Sequence, residues 1–136
     1  MSNPPVDTLA VVVERDLPHP PDKVWRALTQ PHLLEEWLMT NDFHPTVDHR
    51  FSLQAEWGTV ACRVLAVEPP KTLSYTWSAF GLETVVTWTL TPTSIGTALR
   101  MEQTGFRPDQ QQAYQGALGG WPRFVAALEQ LLARTD

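Results

Sequence analysis

The chain has 136 residues, 43% of them hydrophobic and 18% charged, which is apolar material for one core and too much for a disordered chain. Its net charge of −5 is spread out and offers no basic face to neutralise phosphates, so nucleic acid is not expected as a partner. The single cysteine, Cys62, permits neither an internal disulfide nor a Cys-Cys metal pair; it suits a reducing compartment and reads as core filler.

The N-terminus, Met1-Ser2-Asn3-Pro4-Pro5, lacks the charged and apolar regions of a signal peptide, and no apolar run is long enough to insert into a membrane. A single cytoplasmic domain over residues 1–136 is expected. Thr8 to Leu17 is rich in β-branched residues and stops at Pro18, which predicts a strand. Pro20 and Pro21 then open a helix carrying Val24, Trp25 and Leu28 at helical spacing. Pro31 ends that helix and begins a second with Leu33, Leu34, Trp37 and Leu38 on its apolar side.

After the irregular stretch from Met39 to Thr46 the period changes to two. Val47–Leu53, Thr59–Val67, Leu73–Trp77, Thr84–Leu90 and Thr97–Met101 each alternate, giving five strands in series. Their short separators suit antiparallel neighbours, because a parallel crossover needs a dozen or more residues. At one of these corners Pro69-Pro70 fixes two φ angles and removes two backbone donors, which stiffens the hairpin and sets the register beyond it. In that register Leu73, Tyr75 and Trp77 share one face, matched in the next strand by Val86, Trp88 and Leu90.

Helical spacing returns with Tyr114, Leu118, Trp121, Val125, Leu128 and Leu132. Gly119, Gly120 and Pro122 predict a kink or a break, with the firmest helix from Trp121 to Ala133. The order predicts an α+β fold: a curved antiparallel sheet of about six strands wrapped around a long C-terminal helix, with two short helices between strands 1 and 2. The large aromatics then either fill the core or line a hollow within it; periodicity leaves both open.

Asn41 to His49 is the densest polar cluster, with two histidines and two aspartates. Its spacing matches no metal motif and Pro45 stiffens it, so a solvated loop is expected, with no metal and no cofactor. Arg100 and Glu102 alternate with Leu99 and Met101, which places the charges on the outer face. If Glu56 or Glu102 instead turned inward, burial would raise its pKa and make it an acid or base candidate. No nucleophile elbow, phosphate-cradling glycine loop or dinucleotide fingerprint is present, and Ser74 and Ser78 have no evident histidine base.

Several local patterns, in their order, carry a resemblance over nearly the whole chain. They are Pro21 to Thr29 (PDKVWRALT), Leu34-Glu35-Glu36-Trp37, VLAVEPPKTLSYTW, Val86 to Leu90 (VTWTL), Gly96-Thr97, and Gly120-Trp121 with Phe124 and Leu128. The chain resembles the bacterial homologues of the activator of the heat-shock-protein-90 ATPase, within the START and birch-pollen-allergen-like (SRPBCC) helix-grip superfamily. It departs from them where Asp48-His49 stand in place of the usual glycine pair before the strand at Phe51.

The resemblance implies a cavity between the sheet and the last helix that binds an apolar or aromatic small molecule. The expected wall is Trp37, Met39, Phe43, Phe51, Tyr75 and Trp77, completed by Trp88, Tyr114, Leu118 and Trp121. A minority of the superfamily are cyclases or dehydratases, so polyketide cyclase-like catalysis is the second reading. The third is a chaperone-interaction module using the outer surface, although the eukaryotic activator has a further chaperone-binding domain that these residues do not contain. Exposed sheet edges leave monomer and homodimer both open.

Overall fold

The computed structural model describes residues 8–135, so the expectations for the first seven residues, and for Asp136 as the end of the domain, lie outside the described residues. The elements are β1 (Leu9–Leu17), α1 (Pro21–Thr29), α2 (Pro31–Trp37), β2 (Thr40–Asn41), β3 (Arg50–Ala55), β4 (Gly58–Glu68), β5 (Thr72–Ala79), β6 (Leu82–Pro92), β7 (Thr97–Phe106) and α3 (Gln111–Arg134). The strands form one antiparallel sheet in the order β1-β7-β6-β5-β4-β3-β2. Its inner face packs on α3. The expected α+β architecture is present with seven strands, because the two-residue β2, too short for any alternation to show, pairs Thr40 with Gln54 and Asn41 with Leu53.

Alternation decides which face each strand buries. In β5, Leu73, Tyr75 and Trp77 are buried, and they lie opposite Trp88, Val86 and Thr84 of β6. The turn at Pro69-Pro70 joins β4 to β5 with Glu68 paired to Thr72, as a stiff corner requires. β3 starts at Arg50 instead of Val47, since Asp48 takes a left-handed φ of 71° and turns the chain before the ladder resumes. Aspartate tolerates that conformation better than most residues. Outside the sheet, Arg100 pairs with Glu14 and Glu102 at 3.6 and 3.5 Å.

Of the kink or break expected in the last helix, the break does not occur: α3 runs as one helix through Gly119, Gly120 and Pro122. An interior proline costs about 3 kcal/mol, but Trp121, Val125, Leu128, Leu131 and Leu132 are all buried against the sheet, each worth about 1.5–3 kcal/mol. Tertiary burial wins. The C-terminal end of α3 is also held, because Lys23 Nζ donates to the Leu132 and Thr135 carbonyl oxygens at 2.8 and 2.7 Å. A cation there satisfies acceptors that the helix leaves without a partner.

The same ammonium donates to His19 Nδ1 at 3.2 Å. Burial first, and the Lys23 charge second, hold the His19 pKa below its ordinary 6.5. The unfolded chain therefore takes up this proton more readily, so the contribution is present above pH 6.5 and is lost as pH falls through the lowered native value. The melting temperature should fall more steeply from pH 7.5 to 5.5 (about two units around the His range) in the wild type than in His19→Gln. Equal slopes in the two proteins would rule this coupling out.

Candidate functional site

Four indoles cross the interior in edge and tilted contacts. Trp37 meets Trp88 at 5.6 Å between ring centroids, Trp88 meets Trp121 at 5.7 Å, and Trp121 meets Trp77 at 5.2 Å. Trp37 and Trp88 are enclosed on all sides, their ring N–H groups bonded to the Ala27 carbonyl and the Tyr75 hydroxyl at 2.8 and 3.0 Å. Trp77 and Trp121 pack on their neighbours with one side and face a hollow with the other. The aromatics thus serve both purposes that periodicity left open.

The hollow has a volume of about 910 Å³ and lies between β5, β6, β7 and the first half of α3. Its sheet side presents Trp77, Ala79, Leu82, Gln103 and Phe106, and its helix side presents Ala113, Gly116, Ala117, Gly120, Trp121 and Phe124. The helix contributes space because the residues at that helical spacing are small. A Cβ added at Gly116 or at Gly120 would meet no atom within 4 Å. On the other half of the same helix, Val125, Leu128 and Leu132 fill the corresponding volume.

Two hairpin tips overhang the mouth. Trp57 lies in the two-residue turn from β3 to β4 and Phe80 in the turn from β5 to β6; both line the hollow, and they are 54% and 82% exposed. Phe80 and Gly81 have φ of 52° and 83°, the pattern of the two-residue hairpin turn whose usual occupants are asparagine and glycine. A phenylalanine held there costs about 1 kcal/mol or more. Gly58 makes room for its ring: an added Cβ would stand 2.8 Å from Phe80 Cζ. A strained backbone that presents an apolar ring to solvent is an unfavourable arrangement unless something covers the ring.

One polar network reaches the floor. The Trp121 ring N–H donates to Gln103 Oε1 at 2.6 Å, Gln103 Nε2 donates to Thr84 Oγ1 at 2.8 Å, and Thr84 Oγ1 donates to the Trp77 carbonyl at 2.9 Å. Gln103 is buried, with both its amide oxygen and its amide nitrogen hydrogen-bonded, as a buried amide requires.

Of the ten residues expected in the wall, the hollow gathers Met39, Trp77 and Trp121. Phe43, Phe51 and Tyr75 form a separate buried aromatic group, with Phe43 to Phe51 at 4.9 Å and Phe51 to Tyr75 at 5.3 Å; Trp37 and Trp88 lie behind the floor. Tyr114 packs on Phe106 and turns its hydroxyl to the Ala10 carbonyl at the β1 edge. Leu118 is 40% exposed, because the helix presents Ala117 and Gly120 inward and position 118 lies on its outer side. Sequence reasoning missed Trp57, Phe80, Gln103 and the small face of α3. Gln103 had a visible signal, since it continues the inward parity of Leu99 and Met101.

The ionisable side chains on the lining, Asp109 and Arg123, are both exposed. Glu56 and Glu102 are not on the lining, and Glu102 pairs with Arg100 outside the sheet. Burial raises the Tyr75 phenol above its ordinary value, against the opposing bond from Trp88. Burial first, then the Asp42 charge, pushes Cys62 up to about 12. Neither group lines the hollow. In the loop before β3, Asp42 Oδ1 accepts the Ser52 N–H at 2.6 Å and His44 meets Thr46. The described residues gather no set of three metal-ligating side chains, and no helix among them is long and apolar enough to cross a membrane.

The family model described as Activator of Hsp90 ATPase homolog 1-like protein matches residues 18–133. The chain belongs to this family. Among solved structures, protein MLL2253 from Mesorhizobium loti is 64% identical with a TM-score of 0.92, covering 94% of this chain and 99% of that one. BH1534 from Bacillus halodurans is 27% identical with a TM-score of 0.81, over 91% and 96% of the two chains. DynU16, a protein of the dynemicin biosynthetic locus, is 30% identical with a TM-score of 0.79, over 96% of this chain and 48% of its own length. No curated protein matches the chain.

In this member of the Activator of Hsp90 ATPase homolog 1-like family, the network at Gln103 joins helix to sheet at the cavity floor. Replacing Gln103 by Leu leaves the Trp121 N–H without its acceptor, which costs about 1–3 kcal/mol. Urea denaturation should show that loss in midpoint with an unchanged slope; a midpoint within error of the wild type would mean that the network contributes nothing to stability.

Proposed function

We propose that this protein binds an apolar or aromatic small molecule in the hollow between the sheet and the first half of α3. The observation that carries the reading is the helix face at Ala113, Gly116, Ala117 and Gly120. These four lining positions carry at most a methyl group, whereas Trp121 and Phe124 beside them and Val125, Leu128 and Leu132 beyond are large. A volume of about 910 Å³ falls in the range of small-molecule sites, and an apolar wall with few polar groups is their usual make-up.

Trp57 and Phe80 fit the same reading, because a ligand in the hollow gives both rings an apolar neighbour. That DynU16 belongs to a biosynthetic locus agrees with a small molecule as the natural occupant. The family's name points to a chaperone, whereas the reading here rests on the hollow. The catalytic alternative requires a buried acid or base facing the ligand, and the lining offers the exposed Asp109 and Arg123 instead.

The test fills the cavity from the helix side. Titration with the neutral fluorophore N-phenylnaphthylamine should give saturable enhancement with the wild type. Gly116→Leu and Gly120→Leu should each weaken binding about tenfold or more, since the new side chain takes the ligand's volume. Both should melt at or above the wild-type temperature, because glycine inside a helix costs about 1 kcal/mol relative to good helix formers. No saturable binding by the wild type, or undiminished binding by both variants, would exclude the hollow as the site.

A further inference from the structure

Three of the five polar side chains on the lining, Gln103, Asp109 and Gln110, are committed to partners within the protein, and the exposed Gln112 and Arg123 have none among the described residues. Gln103 is bonded to Trp121 and Thr84. Gln110 accepts the Arg107 backbone N–H at 2.9 Å and donates to the Gly81 carbonyl at 3.4 Å. Asp109 is held by Arg107 Nε at 3.2 Å. Arg123 differs from all of these. It is the cationic residue of the lining, it is exposed, and no ion pair to it forms among the described residues.

Arg15, Arg26, Arg100, Arg107 and Arg134 each meet a carboxylate within 4.0 Å, whereas Arg50, Arg63 and Arg123 meet none among the described residues. Of these three, Arg123 is the one on the lining of the hollow. Arg123 stands two residues beyond Trp121 and next to Phe124, both of which line the hollow. An unneutralised guanidinium therefore sits at the rim of an apolar chamber.

We propose that the ligand is an apolar carboxylic acid, with its body against Trp77, Trp121 and the small face of α3 and its carboxylate on Arg123. The proposal rests on the small-molecule reading above and names the class of ligand. One planar guanidinium matches one carboxylate through two parallel hydrogen bonds. A dianionic head fits less well, because Asp109 also lies on the lining and its charge opposes a second negative one. The head remains in contact with water at the rim, so the ion pair forms without the desolvation cost of a buried one. Its contribution is accordingly modest, at most about fivefold in affinity, and is screened by salt.

The experiment displaces N-phenylnaphthylamine with decanoate and with decanamide, which share the apolar chain and differ in charge. At low ionic strength decanoate should compete about fivefold better than decanamide with the wild type. In Arg123→Gln decanoate should lose its advantage and compete no better than decanamide, and the fold should be undisturbed because Arg123 forms no ion pair among the described residues. Equal competition by acid and amide in the wild type would overturn the proposal, as would a preference for the acid that survives Arg123→Gln. In both cases displacement by decanamide would leave the cavity reading standing. A wild type that does not bind the fluorophore at all would sink the cavity reading, and the acid proposal with it.

Discussion

The hydrogen bond from the Trp121 indole to Gln103 fixes the level at which α3 meets β7. On the C-terminal side of that level the helix carries Val125, Leu128, Leu131 and Leu132 and packs directly on the sheet. On the N-terminal side it carries Ala113, Gly116, Ala117 and Gly120 along the hollow, with Tyr114 keeping contact with Phe106 and the β1 edge beside it. Without a lock between the two regimes, the helix would gain contact by sliding or tilting onto the sheet until the hollow closed. A bond at 2.6 Å in a buried site resists that motion, because a shift of one residue along the axis, about 1.5 Å, would break it.

The sheet completes the lock. Gln103 is oriented by Thr84 on β6, and Thr84 is oriented by the Trp77 carbonyl on β5, so the chain of donors ties three neighbouring strands to the helix. Trp77 and Trp121, whose backbone and side chain terminate this network, are also the aromatic floor. The proline corner between β4 and β5 belongs to the same argument, since a one-residue slip beyond it would turn Leu73, Tyr75 and Trp77 outward. Register, floor and polar network are therefore one construction.

Most of the fold was legible because burial imposes a period. Strands of eight to eleven residues, such as β5 and β6, alternate long enough to declare a face, and the prolines at positions 20, 21 and 31 mark helix starts. The two-residue β2 could not declare itself, and Pro122 was overruled by burial on both sides of it. The site was less legible for a related reason: large residues advertise burial, but a cavity is made by what is missing. Large aromatics drew attention to Phe43, Phe51 and Trp88, which pack, whereas the decisive positions were small ones. Trp57 and Phe80 looked like turn residues, and only the three-dimensional course of the two hairpins brings their rings within 6.2 Å of each other.

Phe80 also separates two demands that are usually met together. An engineer seeking thermal tolerance would replace it first, since asparagine or glycine suits its left-handed backbone and removes an apolar ring from water. The same change strips the mouth of its most prominent surface. Under the proposed function, optimising this turn for the resting protein works against the occupied one, and a consensus chosen on melting behaviour alone would discard the residue best placed to retain a guest.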